Sequence, residues 1–250
     1  MRVTISDDKN ELGFLAAREG AEHINTAIKD KGYANVVFVT GQSQLQTLKN
    51  LASMGIDWSH VNVFHLDEFV GLQNDSITSS CGFLKEYFLK NIPTPLSYTP
   101  INSDPKKLDA TVKELNKIMK EHPLDVAFIC IGENGHLAFN DPPADFDTYD
   151  PYIVVELGAR ARRQQVNEGW FKRLDDVPTH AITMSVNEIL SAKHIIVSCP
   201  DQRKAKAVAD CFFEYISPLY PATALRTADD CSIYLDRQSS YLVFGDRRTN

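Results

Sequence analysis

The segment Ile131-Gly132-Glu133-Asn134-Gly135-His136-Leu137-Ala138-Phe139-Asn140-Asp141-Pro142 gathers the most reactive chemistry in the chain. Its two glycines permit a tight backbone path over a ligand. An imidazole titrates near neutrality, so His136 can pass a proton in either direction. Asn134 and Asp141 flank it and can fix its tautomer and orientation in the manner of a triad. A single histidine is more often structural than catalytic. The glycines, the apolar run ahead and a carboxylate five residues on favour chemistry here.

Three further segments carry suitable groups. Asp67-Glu68 follows the apolar run VNVFHL. In a partly dry pocket such a carboxylate has a raised pKa and can take a carbon-bound proton; the alternative is a solvated turn. Thr40-Gly41-Gln42-Ser43 closes one apolar run and opens a helical pattern, where free N–H groups and a hydroxyl suit a phosphate. The plainer reading is a tight turn with Ser43 as an N-cap. Asp201-Gln202-Arg203-Lys204-Ala205-Lys206 starts another helix, either as a solvated basic face or with a lysine reaching a phosphate. Neither G-x-G-x-x-G nor a Walker A pattern is present at these loops, so a dinucleotide or ATP site has no support.

These groups need a scaffold. VVFVT (Val36 to Thr40), VNVFHL (Val61 to Leu66), DVAFICI (Asp125 to Ile131), HAITMSV (His180 to Val186) and HIIVSC (His194 to Cys199) are continuous apolar runs, the pattern of strands buried on both faces in a parallel sheet. Helical signals lie between them. Leu12, Leu15, Ala16, Ile24, Ala27 and Ile28 fall near helical spacing with Gly32 as a stop, and Gly82 to Asn91, Lys106 to His122 and Gln202 to Phe213 follow. The alternation predicts an α/β fold: a Rossmann-like, doubly wound, mostly parallel sheet with helices on both faces, as one domain over 1–250. The Pro93 to Pro105 stretch reads as a crossover, and Asp141 to Asp150 as an ordered or lid-like loop. The four reactive segments all follow carboxyl ends of expected strands, the edge where open parallel sheets bind ligands.

Composition limits the function. At 250 residues with 43% hydrophobic and 24% charged content, the chain is an ordinary globular one. A net charge of −7 argues against nucleic acid but allows one small anionic substrate. Five scattered cysteines without a C-x-x-C pair make a poor disulfide or zinc framework, and Cys130 and Cys199 read as core residues. The amino terminus lacks a secretory-type apolar stretch and no run is long enough to span a bilayer, so the expected compartment is the cytoplasm, with no membrane partner.

The motifs together resemble the glucosamine-6-phosphate deaminase/isomerase family. HLDEFVGL is similar to its D-E-Y-V-G-L block, GENGHLAFNDP to its G-x-x-D-G-H-x-A-F-N-E-P block, VPTHAITMSVNEILSAKHIIV to its late strand-helix-strand segment, and QRKAKAV to its phosphate-lysine helix. The resemblance implies deamination with isomerisation of an amino-hexose 6-phosphate. His136 with Asp141 and Asn134 would open the ring, and Asp67 would carry the proton from C2 to C1. Gly41, Gln42, Ser43 and Lys204 would hold the 6-phosphate. No metal or organic cofactor is implied. The partner is a small phosphorylated sugar, and a homo-oligomer is compatible with the family.

The chain departs from the family pattern. Asn134 replaces the usual Asp, Asp141 the usual Glu, Gln42 and Gln44 a small residue and proline, and Gly169 a phosphate-binding Arg, for which Arg162 or Arg163 are the expected substitutes. Two other readings stand beside this one. The sister lactonases hydrolyse 6-phosphogluconolactone but lack the V-G-L and A-F-N-[ED]-P continuations. A non-catalytic sugar-phosphate sensor of this fold would carry a DNA-binding segment ahead of it.

Overall fold

The computed structural model describes residues 1–245. Strands β1 (Arg2–Ser6), β2 (Ala34–Phe38), β3 (Val61–His65), β4 (Asp67–Phe69), β5 (Ser97–Tyr98), β6 (Val126–Ile129), β7 (Tyr152–Glu156), β8 (His180–Met184), β9 (His194–Cys199) and β10 (Cys231–Asp236) alternate with helices. The helices are α1 (Lys9–Lys31), α2 (Leu45–Ala52), α3 (Ser80–Tyr87), α4 (Leu108–Glu121), α5 (Ala159–Asn167), α6 (Val186–Leu190), α7 (Ala205–Phe213) and α8 (Arg237–Phe244).

Local chemistry sets the helix ends. The Asp8 carboxylate caps α1 by accepting from Asn10 N at 2.7 Å and Glu11 N at 3.0 Å. Gly32 ends the helix at φ 87, a left-handed position that a Cβ would disfavour. Ser79 caps α3 through Gly82 N.

Seven strands form one parallel sheet in the order β1-β10-β9-β6-β2-β3-β5. Along each strand, side chains alternate between two cores. Val36, Phe38, Val63, Val126 and Phe128 pack under α1, α2 and α3. Val37, Phe64, Ala127, Ile129 and Val197 pack under α4, α6 and α7. Helices on both faces leave these strands without a wet side, which explains their continuous apolar runs.

Strand order reverses at one place. From β2 the chain builds outward through β3 to β5; from β6 it builds the other way through β9 to β10, which pairs with the first strand, β1. The loops after β2 and β6 therefore diverge and leave a crevice at the carboxyl edge.

One expectation is corrected. HAITMSV forms β8, which is not in the parallel sheet. It is the centre of a three-stranded antiparallel sheet, β4-β8-β7. Core covers both faces of its apolar residues, so its sequence imitates a buried parallel strand. Two-residue β5 lies inside the crossover Pro93 to Pro105.

Candidate active site

The crevice at the strand reversal is a cleft of about 690 Å³, counted to its open mouth. Gly41, Gln42, Ser43, Asp67, His136 and Lys204 all line it. They come from four separate segments that follow parallel strands, and the one at Asp67, expected as a loop, is the start of strand β4. Asn134 and Asp141 stand behind His136 rather than on the wall, joined to it by polar contacts.

Asp67 owes its position to a bend. Leu66 alone separates β3 from β4, and Leu66 N donates to Phe38 O at 3.0 Å while Met184 N donates to Leu66 O at 2.7 Å. His65 locks the turn. Its Nε2 accepts from Ile101 N at 2.9 Å, which leaves the proton on Nδ1 to donate to Asp67 O at 3.0 Å. Burial pushes the His65 pKa down to about 4, so this imidazole is neutral and structural. The Asp67 carboxyl is 5% exposed, and burial raises its pKa to about 6. Ser80 Oγ donates to Asp67 Oδ1 at 3.0 Å, and the nearby His136 charge acts in the same downward direction, but neither offsets burial. With the Ser80 proton so used, Thr40 Oγ1 donates to Ser80 Oγ at 3.1 Å.

Glu68 is fully buried and is no solvated turn. Its carboxylate accepts from three backbone N–H groups: Phe69 and Ser80 at 3.0 Å, and Cys81 at 2.9 Å. The last two are the first free amides of α3, so Glu68 ties that helix start to β4 and sets Ser80 over Asp67. Burial still dominates and lifts the Glu68 pKa to about 7.

His136 is held by its loop. Gly135 at φ 85 and Ala138 at φ 52 turn the chain sharply. Asn140 Nδ2 ties the loop down through Leu137 O at 2.7 Å and Met184 O at 2.8 Å. The imidazole lies flat on Gly132, where a Cβ would stand 2.2 Å from Nε2. Its Nδ1 is 3.3 Å from Asp141 Oδ1, an ion-pair distance, though the angle does not make a hydrogen bond. Asn134 does not bond the ring as expected. Its Oδ1 accepts from the His136 backbone N–H at 3.2 Å, and its Nδ2 donates to Asp141 Oδ1 at 2.9 Å. Asn134 therefore positions the carboxylate and the loop. Burial raises the Asp141 pKa, but His136, Asn134 and the Gly158 N–H outweigh it and hold the carboxyl below its usual range.

At the other end of the cleft, Ser43 is no N-cap. Gly41, at φ 109, occupies that place, and Ser43 sits within a short 3-10 turn, Gln42–Gln44. Its hydroxyl donates to Cys130 Sγ at 3.2 Å. Buried Gln44 is structural: its Nε2 donates to both Ile129 O and Ser198 O at 3.2 Å, stitching β6 to β9. Lys204 is 5% exposed; burial lowers its pKa, but Cys130, Cys199, Glu168 and Glu133 raise it above the ordinary value.

Neither expected arginine substitute reaches the cleft. Arg162 is committed to the Leu174 and Val177 carbonyls at 2.7–3.1 Å, and Arg163 lines a separate hollow with Glu133 and Asn134. Gly169 holds φ 83 to leave the end of α5, a conformation that penalises an arginine there. The segment that walls the cleft is α5 through Trp170, with Gln164, Glu168 and Trp170 on its lining. The Asp141 to Asp150 loop is instead pinned elsewhere, by Asn187 Nδ2 donating to Phe146 O and Thr148 O.

Sequence reasoning missed Ser80; Cys130 is the core residue it was expected to be, and it also lines the cleft. The Ser79-Ser80 pair opening a helix was the available signal for Ser80. Among the described residues, His23, His194 and Asp230 bring possible metal ligands within 4.8 Å of one another, but His194 begins β9, at the opposite edge of the sheet.

Residues 7–233 match the family described as glucosamine-6-phosphate isomerases/6-phosphogluconolactonase. The chain belongs to that family. It is 32% identical over 243 residues to a glucosamine-6-phosphate deaminase of Streptococcus sanguinis, covering 97% of this chain and 99% of that one. It superposes on a monomeric glucosamine-6-phosphate deaminase with a TM-score of 0.88 at 28% identity, covering 97% of this family member and all of that chain. A 6-phosphogluconolactonase from Trypanosoma brucei shares the fold, with a TM-score of 0.79 at 17% identity over 97% and 98% of the two chains. Among the described residues, no helix of this family member is long and apolar enough to cross a membrane.

Proposed function

We propose that the chain converts an amino-hexose 6-phosphate, glucosamine 6-phosphate in the first instance, to fructose 6-phosphate and ammonia. One observation carries the reading. A single cleft holds a buried carboxyl with a pKa raised to about 6, an imidazole braced by a carboxylate, and a buried lysine beside a glycine turn.

The roles follow from those positions. The N–H groups after Gly41, with Ser43 and Lys204, hold the 6-phosphate by charge-assisted hydrogen bonds. His136 moves the proton of the anomeric hydroxyl to the ring oxygen as the C1–O5 bond breaks, which opens the pyranose to the aldehyde, and Asp141 balances the charge on the imidazole. Asp67, ionised above its pKa, takes the C2 proton and returns it at C1, so the enolamine becomes a ketose imine. Water adds to the imine carbon and ammonia leaves. The overall step is hydrolysis at a C–N bond coupled to isomerisation. The small phosphorylated sugar is the only partner these steps require.

Ammonia release from glucosamine 6-phosphate and galactosamine 6-phosphate, with acid release from 6-phosphogluconolactone alongside, tests the proposal. Ammonia from either amino sugar, lost in His136→Ala, supports it. Silence with both amino sugars, or turnover of the lactone alone, removes it.

A further inference from the structure

Beside the phosphate end of the cleft lie two thiols that the proposed reaction does not use. Cys130 is the first residue past β6 and lines the cleft; Cys199 ends β9, the adjacent parallel strand. Ile129 faces Val197, so Cys130 and Cys199 stand on a one-residue diagonal; within a strand that offset would turn them to opposite faces, but Cys130 lies past the end of β6. Parallel-strand spacing gives such a diagonal a Cα separation of about 6 Å, inside the disulfide range. Both sulfurs converge on one acceptor, Ile131 O, at 3.3 Å from Cys130 and 3.7 Å from Cys199. Ser43 Oγ donates to Cys130 Sγ at 3.2 Å, and the buried Lys204 ammonium acts on both sulfurs. The side chains assigned to phosphate thus also partner a sulfur.

We propose that Cys130 and Cys199 form a reactive dithiol built into the phosphate subsite, closed to a disulfide by a peroxide and protected by bound phosphate. The protection rests on the reading of Ser43 and Lys204 as phosphate ligands; the disulfide does not. The Cys130 thiolate attacks the peroxide, forming an S–O bond as the O–O bond breaks, and the departing hydroxide takes a proton to become water. Cys199 sulfur then attacks Cys130 sulfur. The S–S bond forms, the S–O bond breaks, and the hydroxyl leaves with the Cys199 proton as a second water.

The surroundings assign these roles. Cys199, then Lys204 and Ser43, hold the Cys130 thiol below the ordinary range against burial. Cys130 and burial together keep Cys199 protonated. Cys211 and Cys231 are pushed up to about 12 by burial and serve as internal controls. A phosphate dianion beside Lys204 competes with the Cys130 thiolate for the same cation and covers its approach.

The full chain is treated with equimolar hydrogen peroxide, with and without inorganic phosphate, and its thiols are mapped by alkylation and peptide mass. The expected product is a Cys130–Cys199 cross-link, reversed by dithiothreitol and slowed by phosphate. Alkylation at Cys130 is expected to be at least about tenfold faster than at Cys211 or Cys231. In Cys199→Ser, with peroxide raised to more than two equivalents, Cys130 should instead pass through the sulfenic acid to the sulfinic acid, which dithiothreitol does not reverse. Two free thiols after treatment, a cross-link to another cysteine, or a Cys130 no faster than the controls overturns the dithiol. A cross-link indifferent to saturating phosphate overturns its place in the subsite. Thiol mapping reads neither ammonia nor sugar, so a failed deamination assay leaves it unaffected.

Discussion

Replacing Asp67 with asparagine should make stability relative to wild type rise with pH while sharply lowering activity. Burial lifts the Asp67 pKa from 3.8 to about 6, so the folded chain holds this proton more tightly than the unfolded chain does. The ionised side chain therefore destabilises the fold. That cost is absent below the unfolded value, grows as pH rises through about 6, and is constant above. A shift of about 2 units corresponds to about 3 kcal/mol. Asparagine has no such term. It keeps an acceptor for Ser80 Oγ, but its amide protons need partners, a constant cost of about 1–3 kcal/mol at all pH values. Urea unfolding of both proteins from pH 4 to pH 8 separates the two effects. The stability of the variant relative to wild type should rise by up to about 3 kcal/mol across that window. Glu68 adds a smaller change of the same sign, because the Asp67 charge also raises its pKa. Ammonia release should fall by about 10²–10⁴. A difference flat with pH, or activity within tenfold of wild type, refutes the assignment of Asp67 as a buried general base.

Three further outcomes follow from the same geometry. Gly132→Ala forces a Cβ to 2.2 Å from His136 Nε2, so the imidazole must move; kcat/KM should fall at least about 100-fold, as displacement of about 1 Å can cost, read from ammonia release with folding checked by circular dichroism. Ser80→Ala removes a donor that favours the Asp67 carboxylate, so the acid limb of the kcat/KM profile should move up in pH by about one unit, the scale of a charge-assisted hydrogen bond. Lys204→Met keeps the buried stem and deletes the charge; KM for the phosphorylated sugar should rise at least about tenfold, as loss of one charged hydrogen bond requires, whereas unphosphorylated glucosamine should bind wild type and variant alike.

The parallel sheet and the four loops at its edge were legible because both signals are local. Continuous apolar runs mark strands buried on two faces, and glycines beside ionisable residues mark loops at their ends. What was not legible depends on pairing. VNVFHL reads as one strand with Asp67-Glu68 in the loop after it, yet the chain bends at Leu66, where His65 bonds across to Ile101, and Asp67 begins a strand of the second sheet. β8 carries the composition of a parallel strand and pairs antiparallel. Cys130 is core, as its neighbours Ile129 and Ile131 suggest, and its second place on the cleft wall depends on the reversal of strand order, which no local pattern indicates. Arg162 looked free to reach a phosphate, but its guanidinium is spent on two carbonyls that no local pattern indicates.

The groups proposed to move protons and the segment that walls them in hang from different parts of the chain. Asp67 begins a strand and takes a side-chain bond from Ser80 at a helix start, and His136 is held by its own glycine loop, while Gln164, Glu168 and Trp170 come from one short helix and its glycine exit. Such a division lets the menu of sugars drift independently of the reaction performed on them. Exchanging residues along that single wall is the route by which this scaffold would come to accept a different epimer, with its proton relay left untouched.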